Sequence, residues 1–443
     1  MSENVISRKM LEFLDASPNA FFAVANLADM LTKAGAVRLY EGEKWSIKEG
    51  VKYFVTRNDS AIIAFEVPSK KFNGFQIMAS HCDSPVFKIK ANAEVEVEKN
   101  YVKLNVEKYG GMLLYPWFDR PLSVAGRVMV KTDSGIETRL VNIDKDLCII
   151  PSLAIHMDRE ANNGHKLNVQ SEMLPLFSED GEDAKGSFLK LVAATAHVKE
   201  EDILDTDLFL YIREKGTFTG LSDEFVSSGR IDDLQCAFGS IQGFIGSKPT
   251  ESTSVCCVFD NEEVGSGTKQ GAASTFLKDT LRRIDLAFIE DKSEIEEDMT
   301  MKLASSFMVS ADNAHAVHPS YTDKADPTNR PYLNKGIVIK YSANQKYTTD
   351  AVSGAIFKEI CSRGKVPYQT FLNRSDMIGG STLGNISNSQ VALNTVDIGL
   401  PQLAMHSPYE TAGARDTEYL VDAAKILFAT SLVSRGDGNY VLK

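Results

Sequence analysis

"VCCVFDNEEVGSG", residues 255–267, is the stretch from which the fold reads most directly. Val255 to Phe259 is an unbroken apolar run, the pattern of a strand covered on both faces. At its end stand Asp260, Glu262 and Glu263, followed by Gly265 and Gly267. Such a strand belongs to a largely parallel, helix-flanked sheet, and functional groups collect where its strands end and loops begin. The two adjacent glutamates are either a solvated corner or a pair with separate tasks. Their neighbours in the fold decide which. The glycines suit a tight turn that keeps both carboxylates near the strand end.

Outward from this strand, helix and strand patterns alternate from about residue 229 to the end. A helix is expected over 231–245 and another from about 271. The strand "SSFMVSAD", a helix within "TTDAVSGAIFKEICSR" and the strand "VPYQTFL" follow. A helix near 380, a strand over 391–397 and a helix over 418–434 close the chain. At the other end, helices over 4–15 and 19–34 come first, with Ser17 as the expected cap of the second and Pro18 in its first turn. The strands "KYFVTR", "SAIIAFEV" and "GFQIMAS" follow, the last running into "HCDSP". Between these regions "AEVEVE", "YVKLNVE", "SVAGRVMV", "ETRLVNI" and "DLFLYI" alternate apolar and polar residues and are broken by turns. The charge run "IEDKSEIEEDMT" reads as an exposed connection. The expected class is therefore α/β: a doubly covered mixed or parallel sheet over residues 1–92 and 223–443, with an all-β domain, 93–222, inserted into it.

The 443 residues are 43% hydrophobic and 24% charged, ordinary globular composition with material for more than one core. A formal net charge of -12 argues against a nucleic-acid partner and against an acidic membrane surface. No run of about 18 apolar residues is present to span a bilayer. The first residues lack the basic start and apolar core of a secretory signal. Six cysteines without metal-type spacing read as free thiols, consistent with a cytoplasmic protein.

The polar residues at the strand ends carry the chemistry. "IMAS" leads into His81 and Asp83, "VCCVFD" into Glu262 and Glu263, and "FMVSAD" ends in Asp312, with His315 and His318 close behind. "LPQLAMHS" delivers His406, and "GRIDDLQCAF" sets Asp232 and Asp233 at a helix start, where the dipole favours carboxylates. Each alone has an ordinary explanation: a hydrogen-bonded histidine, a helix cap, a wet turn. Their common location is what points to divalent metal. Mixed imidazole and carboxylate ligands suit zinc, with cobalt or manganese as alternatives. Two metals about 3.5–4 Å apart need a bridging carboxylate, a further carboxylate each and an imidazole each. A free carboxylate beside them would move the proton of a metal-activated water, and Asp83 would fix the His81 tautomer. "GSGTKQG" is not a P-loop, and the chain has neither a G-x-S-x-G elbow nor an H-E-x-x-H helix. Cys82 reads as structural.

The ordered motifs "ASHCDSP", "GRIDDL", "FDNEEVGS", "VSADNAHAVHP" and "LPQLAMHS" resemble those of the M18 metalloaminopeptidases, whose best-known members are aspartyl aminopeptidases. The resemblance covers nearly the whole chain and implies a zinc-exopeptidase fold with two zinc ions. His81 and Asp312 would hold one, Glu263 and His406 the other, Asp232 would bridge them, and Glu262 would be the general base. The Asp232–Asp233 peptide is expected to be cis. The family also implies a homo-oligomer, a dodecamer built from dimers through the inserted domain, with His156 of "PSLAIHMDRE" reaching a neighbour's active site. Substrates would be peptides with a free N-terminus. Lys340 in "GIVIKYS" is the candidate for an acidic preference, and Gly379 and Gly380 in "DMIGGSTLGN" would shape the pocket. The last motif departs from that of some relatives, which leaves room for neutral residues. The rival readings are another dimetal hydrolase, such as a deacylase or carboxypeptidase, and a silent scaffold or cargo protein.

Overall fold

The structure is a computed structural model that describes residues 4–179, 184–377 and 379–443. Two compact units emerge, one of Met1–Asp83, Gly216–Met405 and Glu410–Lys443, the other of Ser84–Lys215 with His406–Tyr409. The sequence reading sets its junctions at 92/93 and 222/223. The strand Val86–Val97 runs through the first of these positions.

The first unit is built on a nine-stranded sheet. In spatial order its strands are Val37–Leu39, Lys52–Arg57, Ala61–Glu66, Thr253–Phe259, Phe75–His81, Phe307–Ala311, Asn394–Gly399, Ile337–Lys340 and Tyr368–Phe371. The four central strands, from Thr253–Phe259 to Asn394–Gly399, are mutually parallel, whereas both flanks contain antiparallel pairs. Successive residues face opposite sides of a strand, and here both sides are apolar. Ile62, Ala64, Cys256 and Val258 join one core with Leu14, Leu27, Ile241, Phe357 and Leu427. Ile63, Phe65, Val255, Cys257 and Phe259 join another with Phe276, Leu281 and Met299. The expected doubly covered α/β sheet is what the chain forms.

Three local readings need correction. Asn19, not Ser17, caps the second helix, Ala20–Lys33: its side-chain oxygen accepts the N–H groups of Phe21 (3.1 Å) and Phe22 (3.4 Å). The run "IEDKSEIEEDMT" is not merely a connection, because Ile295–Ala304 is a helix. Its first turn holds Glu296, Glu297 and Asp298, where negative charge is favoured, while Lys302 pairs with Asp298 (2.7 Å) and with Asp285. The closing helix ends at Ala429, and Leu432–Ser434 then pairs with Tyr440–Leu442.

The inserted unit is an antiparallel six-stranded sheet in the order Gly135–Asn142, Leu122–Thr132, Ile203–Ile212, Val86–Val97, Tyr101–Tyr109, Leu176–Glu179. Its core gathers Phe87, Trp117, Val124 and Leu208. The all-β expectation holds for the sheet but missed the helix Ser187–Ala196, whose Phe188 and Val192 join that core.

In the first unit, the helices Ile231–Ile245 and Asp416–Ala429 approach closely because Gly239 and Gly243 face Leu420 and Ala424. A Cβ on Gly243 would lie 2.3 Å from the Ala424 Cβ. Gly243→Val is therefore expected to destabilise the protein by about 1–3 kcal/mol through overpacking. A urea titration checks it, the midpoint falling with the slope unchanged.

Candidate metal centre

The sheet register brings the chemistry together. Phe259 pairs with His81, Ser310 with Ala79 and Ala311 with Ile398. Adjacent parallel strands thus end at nearly the same level, and the residues that follow them share one edge. Gly399 allows a close approach there, since a Cβ on it would lie 2.0 Å from the Asp312 carbonyl oxygen.

His81 closes its strand fully buried. Its Nδ1 lies 3.1 Å from the Asp83 carbonyl oxygen. A carbonyl only accepts, so Nδ1 carries a proton, while Nε2 faces Asp232 Oδ1 at 3.5 Å. The His81 backbone N–H donates to Asp233 Oδ2 (3.1 Å). The peptide between Asp232 and Asp233 is cis.

The opening stretch turns sharply after Phe259. Asn261 (φ 60°), Gly265 (φ 96°) and Ser266 (φ 58°) take left-handed conformations around the single turn Glu262–Val264. Ser266 rather than Gly267 is the second such position after the glutamates. Asp83 clamps the turn, its Oδ1 accepting the Glu262 N–H (3.0 Å) and its Oδ2 the Glu263 N–H (3.1 Å). The solvated-corner reading of the glutamates therefore does not hold: both are partly buried and both backbones are pinned to one carboxylate.

His81, Asp232, Asp233 and Asp312 form one group whose possible ligand atoms all lie within 4.8 Å of one another. His81, Glu262 and Glu263 form a second. Burial, followed by repulsion among neighbours, raises the carboxyl groups out of their usual range. Glu262 is pushed up to about 8, while Asp233 and Glu263 are raised well above the ordinary value. Asp312 is raised mainly by burial, against the pull of Lys340. Burial acts to lower His81, but Asp232, Asp233 and Asp83 outweigh it and hold the imidazole well above its usual range. Asp233 Oδ1 is buried without a hydrogen-bond partner. Several desolvated carboxylates around one imidazole call for concentrated positive charge, and nitrogen plus carboxylate oxygen is the donor set that zinc takes. The residues present fit a zinc centre.

Outside these groups the other expected residues differ in setting. Lys340 is buried; its Nζ donates to the Asn313 carbonyl oxygen (2.8 Å) and lies 3.7 Å from Asp312 Oδ1. Its head is not in water, as an ordinary strand-end lysine would have it. His156 is exposed, in a loop that also exposes Leu153, Ile155 and Met157. A Cβ on Gly379 would strike the Asn373 amide, whereas Gly380 has open space; Ile378 lies outside the described residues. His315 and His318 join none of the groups. The Cys82 thiol donates to the carbonyls of Ser60 (3.1 Å) and Phe259 (3.3 Å), and all six cysteines are buried free thiols. The sequence reading missed Gln235, Asn313, Gln402 and Glu410, which are buried behind the cluster. Their one signal was proximity to motifs already noted.

Comparison with known proteins gives a consistent result. Residues 13–428 match the family model described as "Aminopeptidase I zinc metalloprotease (M18)". A protein of Clostridium novyi (strain NT) named "Probable M18 family aminopeptidase 2" is 48% identical over 419 residues, covering 93% of this chain and 96% of the relative. Among solved structures, one described as "Cryo-EM structure of the Ape4 and Nbr1 complex" superposes with a TM-score of 0.91 at 38% identity, covering 96% of this chain and 85% of that one. Another, "Structure of S. cerevesiae mApe1 dodecamer", gives 0.84 at 26% identity and covers 96% of each chain.

The Asp83 clamp yields a test. Asparagine has one acceptor oxygen where aspartate has two, so Asp83→Asn leaves the Glu262 or the Glu263 N–H facing an amide donor. The metal-free protein is expected to lose about 1–3 kcal/mol, the cost of a buried unsatisfied donor. Denaturant unfolding after chelator treatment measures it.

Proposed function

The chain belongs to the M18 family of zinc metalloaminopeptidases, and we propose that it works with two zinc ions and with Glu262 as general base. The observation that carries this reading is the convergence of His81, Asp312, Glu262 and Glu263, at the ends of parallel strands, with Asp232, at the start of a helix. In this reading His81 and Asp312 would hold one ion, Glu263 and His406 the other, and Asp232 would serve both. Zinc supplies Lewis acidity, polarising a carbonyl and making water acidic near neutral pH. The protein's own part is positioning and proton transfer. Glu262, beside a ligand yet outside the ligand set, takes the proton of the attacking water and delivers it to the leaving amine. Asp83 holds the backbones of Glu262 and Glu263 together and so fixes the distance between base and ligand. A free substrate α-amine sits among the carboxylates, which limits cleavage to the N-terminal residue.

An acidic preference rests on Lys340, and its hydrogen bond to Asn313 together with its proximity to Asp312 favours the second reading, that neutral N-terminal residues are accepted. Gly379 and Gly380 would then shape the pocket through their backbones. The dodecamer of the yeast relative supports a homo-oligomer for this chain, built from dimers through the inserted unit. The exposed loop around His156 suits a histidine that enters a neighbour's site. No helix among the described residues is long and apolar enough to cross a membrane, and the buried free thiols accord with a cytoplasmic setting.

Glu262→Gln is expected to keep zinc and assembly and to lose turnover by roughly 100-fold or more, the scale of general acid–base catalysis. Steady-state kinetics alongside metal analysis checks it, and undiminished hydrolysis removes Glu262 from the mechanism. Chelator treatment should abolish activity and added zinc restore it; activity that survives complete metal removal overturns the whole reading. A panel of peptides differing only in the first residue decides specificity. If Asp and Glu substrates show the highest kcat/KM and Lys340→Met selectively removes that advantage, the acidic reading stands over the neutral one.

A further inference from the structure

Behind the carboxylate cluster runs a chain of buried side chains to which the proposed reaction assigns no role. Glu410 opens the strand Glu410–Gly413 and is buried. Its Oε2 accepts the backbone N–H of Asp232 (3.0 Å), and its Oε1 accepts the Gln402 amide (3.2 Å). Gln402 Oε1 in turn accepts Asn313 Nδ2 (2.5 Å), which also reaches Gln235 Oε1 (3.0 Å). Gln235 Nε2 ends the run on Thr417 Oγ1 (3.0 Å). Asn313 is further fixed by the Cys236 thiol on its Oδ1 (2.9 Å) and by Lys340 on its carbonyl.

A small sheet explains why these residues meet. Glu410 pairs with Ser228, four positions before Asp232. The next strand, Pro401–Leu403, presents Gln402 and pairs with Ala314–His315, which directly follows Asp312 and Asn313. One end of the chain therefore holds the main chain at Asp232, and its middle is the residue after Asp312. The Asp232 N–H stands at the non-helical entry to the helix Ile231–Ile245, and Glu410 satisfies it from another strand.

The chain also has a direction. An ionised carboxylate only accepts, so the Gln402 amide must turn its NH2 toward Glu410 and its oxygen toward Asn313. Asn313 must then donate to both Gln402 and Gln235. Replacing Glu410 with glutamine would set an NH2 against either the Asp232 N–H or the Gln402 NH2. Turning Gln402 around would only move the donor–donor clash to Asn313.

We propose that Glu410 is a positioning residue: it holds Asp232 and, through Gln402 and Asn313, Asp312 at the separation that metal binding requires, before metal arrives. This rests on the reading of Asp232 and Asp312 as ligands. Buried partners that orient metal ligands characteristically govern affinity.

The test is zinc affinity of the chelator-stripped protein, measured by competition with a chromophoric chelator, beside circular dichroism and melting of the metal-free form. Glu410→Gln is expected to keep the wild-type helical content and weaken zinc binding by roughly 10- to 100-fold. Glu410→Asp, which remains an acceptor only, should recover most of the loss. Gln402→Met cuts the chain one step from Asp232 and should fall between, and it decides the question if the glutamine variant does not fold. Zinc affinity unchanged from wild type overturns the proposal, however far melting falls, because a merely structural role would lower stability alone. Asp232→Asn and Asp312→Asn test the ligand reading separately. If both retain wild-type affinity, the ligand assignment fails; if both lose it while Glu410→Gln does not, only the positioning role fails.

Discussion

A concentration of negative charge held away from water is the constraint around which the sheet domain is arranged. Asp232, Asp233, Asp312 and Glu263 crowd one edge of the sheet, and burial makes ionising Asp233, Asp312 and Glu263 unfavourable. His81 and Lys340 supply part of the counter-charge, and a zinc centre would supply the rest. Everything nearby serves to keep the carboxylates in place despite their repulsion. Parallel register brings three strand ends level, Gly399 lets a neighbouring strand run against Asp312, and backbone N–H groups are tied to Asp83, Asp233 and Glu410. Repulsion that would open a softer scaffold is met by a rigid one.

The parts of this arrangement that were legible in the sequence are those with periodic or chemical signatures. Apolar runs marked the central strands, and the residues just past them, His81, Glu262, Glu263 and Asp312, followed from the rule that such strands deliver their chemistry at their ends. The fold class followed from the alternation of helix and strand patterns, and the family from the resemblance of five ordered motifs. What stayed hidden had no local signal. Glu410 and Gln402 lie on strands of three or four residues, too short to show alternation, and their partners are set by tertiary pairing. Ser17 and Asn19 are equally good caps on paper, and only the path of the chain chooses Asn19. The run from Ile289 to Thr300 looked like a solvated connection because charge dominates it, yet a few buried contacts at Ile295 and Met299 suffice to dock it as a helix. Lys340 shows the same limit: strand position predicts a head in water, whereas the nearby Asp312 draws it inward.

The adjacency of Glu262 and Glu263 now has a physical reason beyond shared location. A metal ligand and a proton carrier must keep a fixed separation while the substrate between them changes shape. Neighbouring residues on a loose turn could not guarantee that, because each peptide plane can rotate independently. Here both planes are locked by one carboxylate, and that carboxylate follows His81 by two residues on the adjoining strand. Any displacement of the proposed base would drag the proposed ligand beside it and strain the histidine opposite. The single-turn helix Glu262–Val264, entered and left through left-handed residues, is the compact way to point two N–H groups at one acceptor. The strand Val255–Phe259 is thus a mount whose rigidity Asp83 helps to carry across the turn to the site.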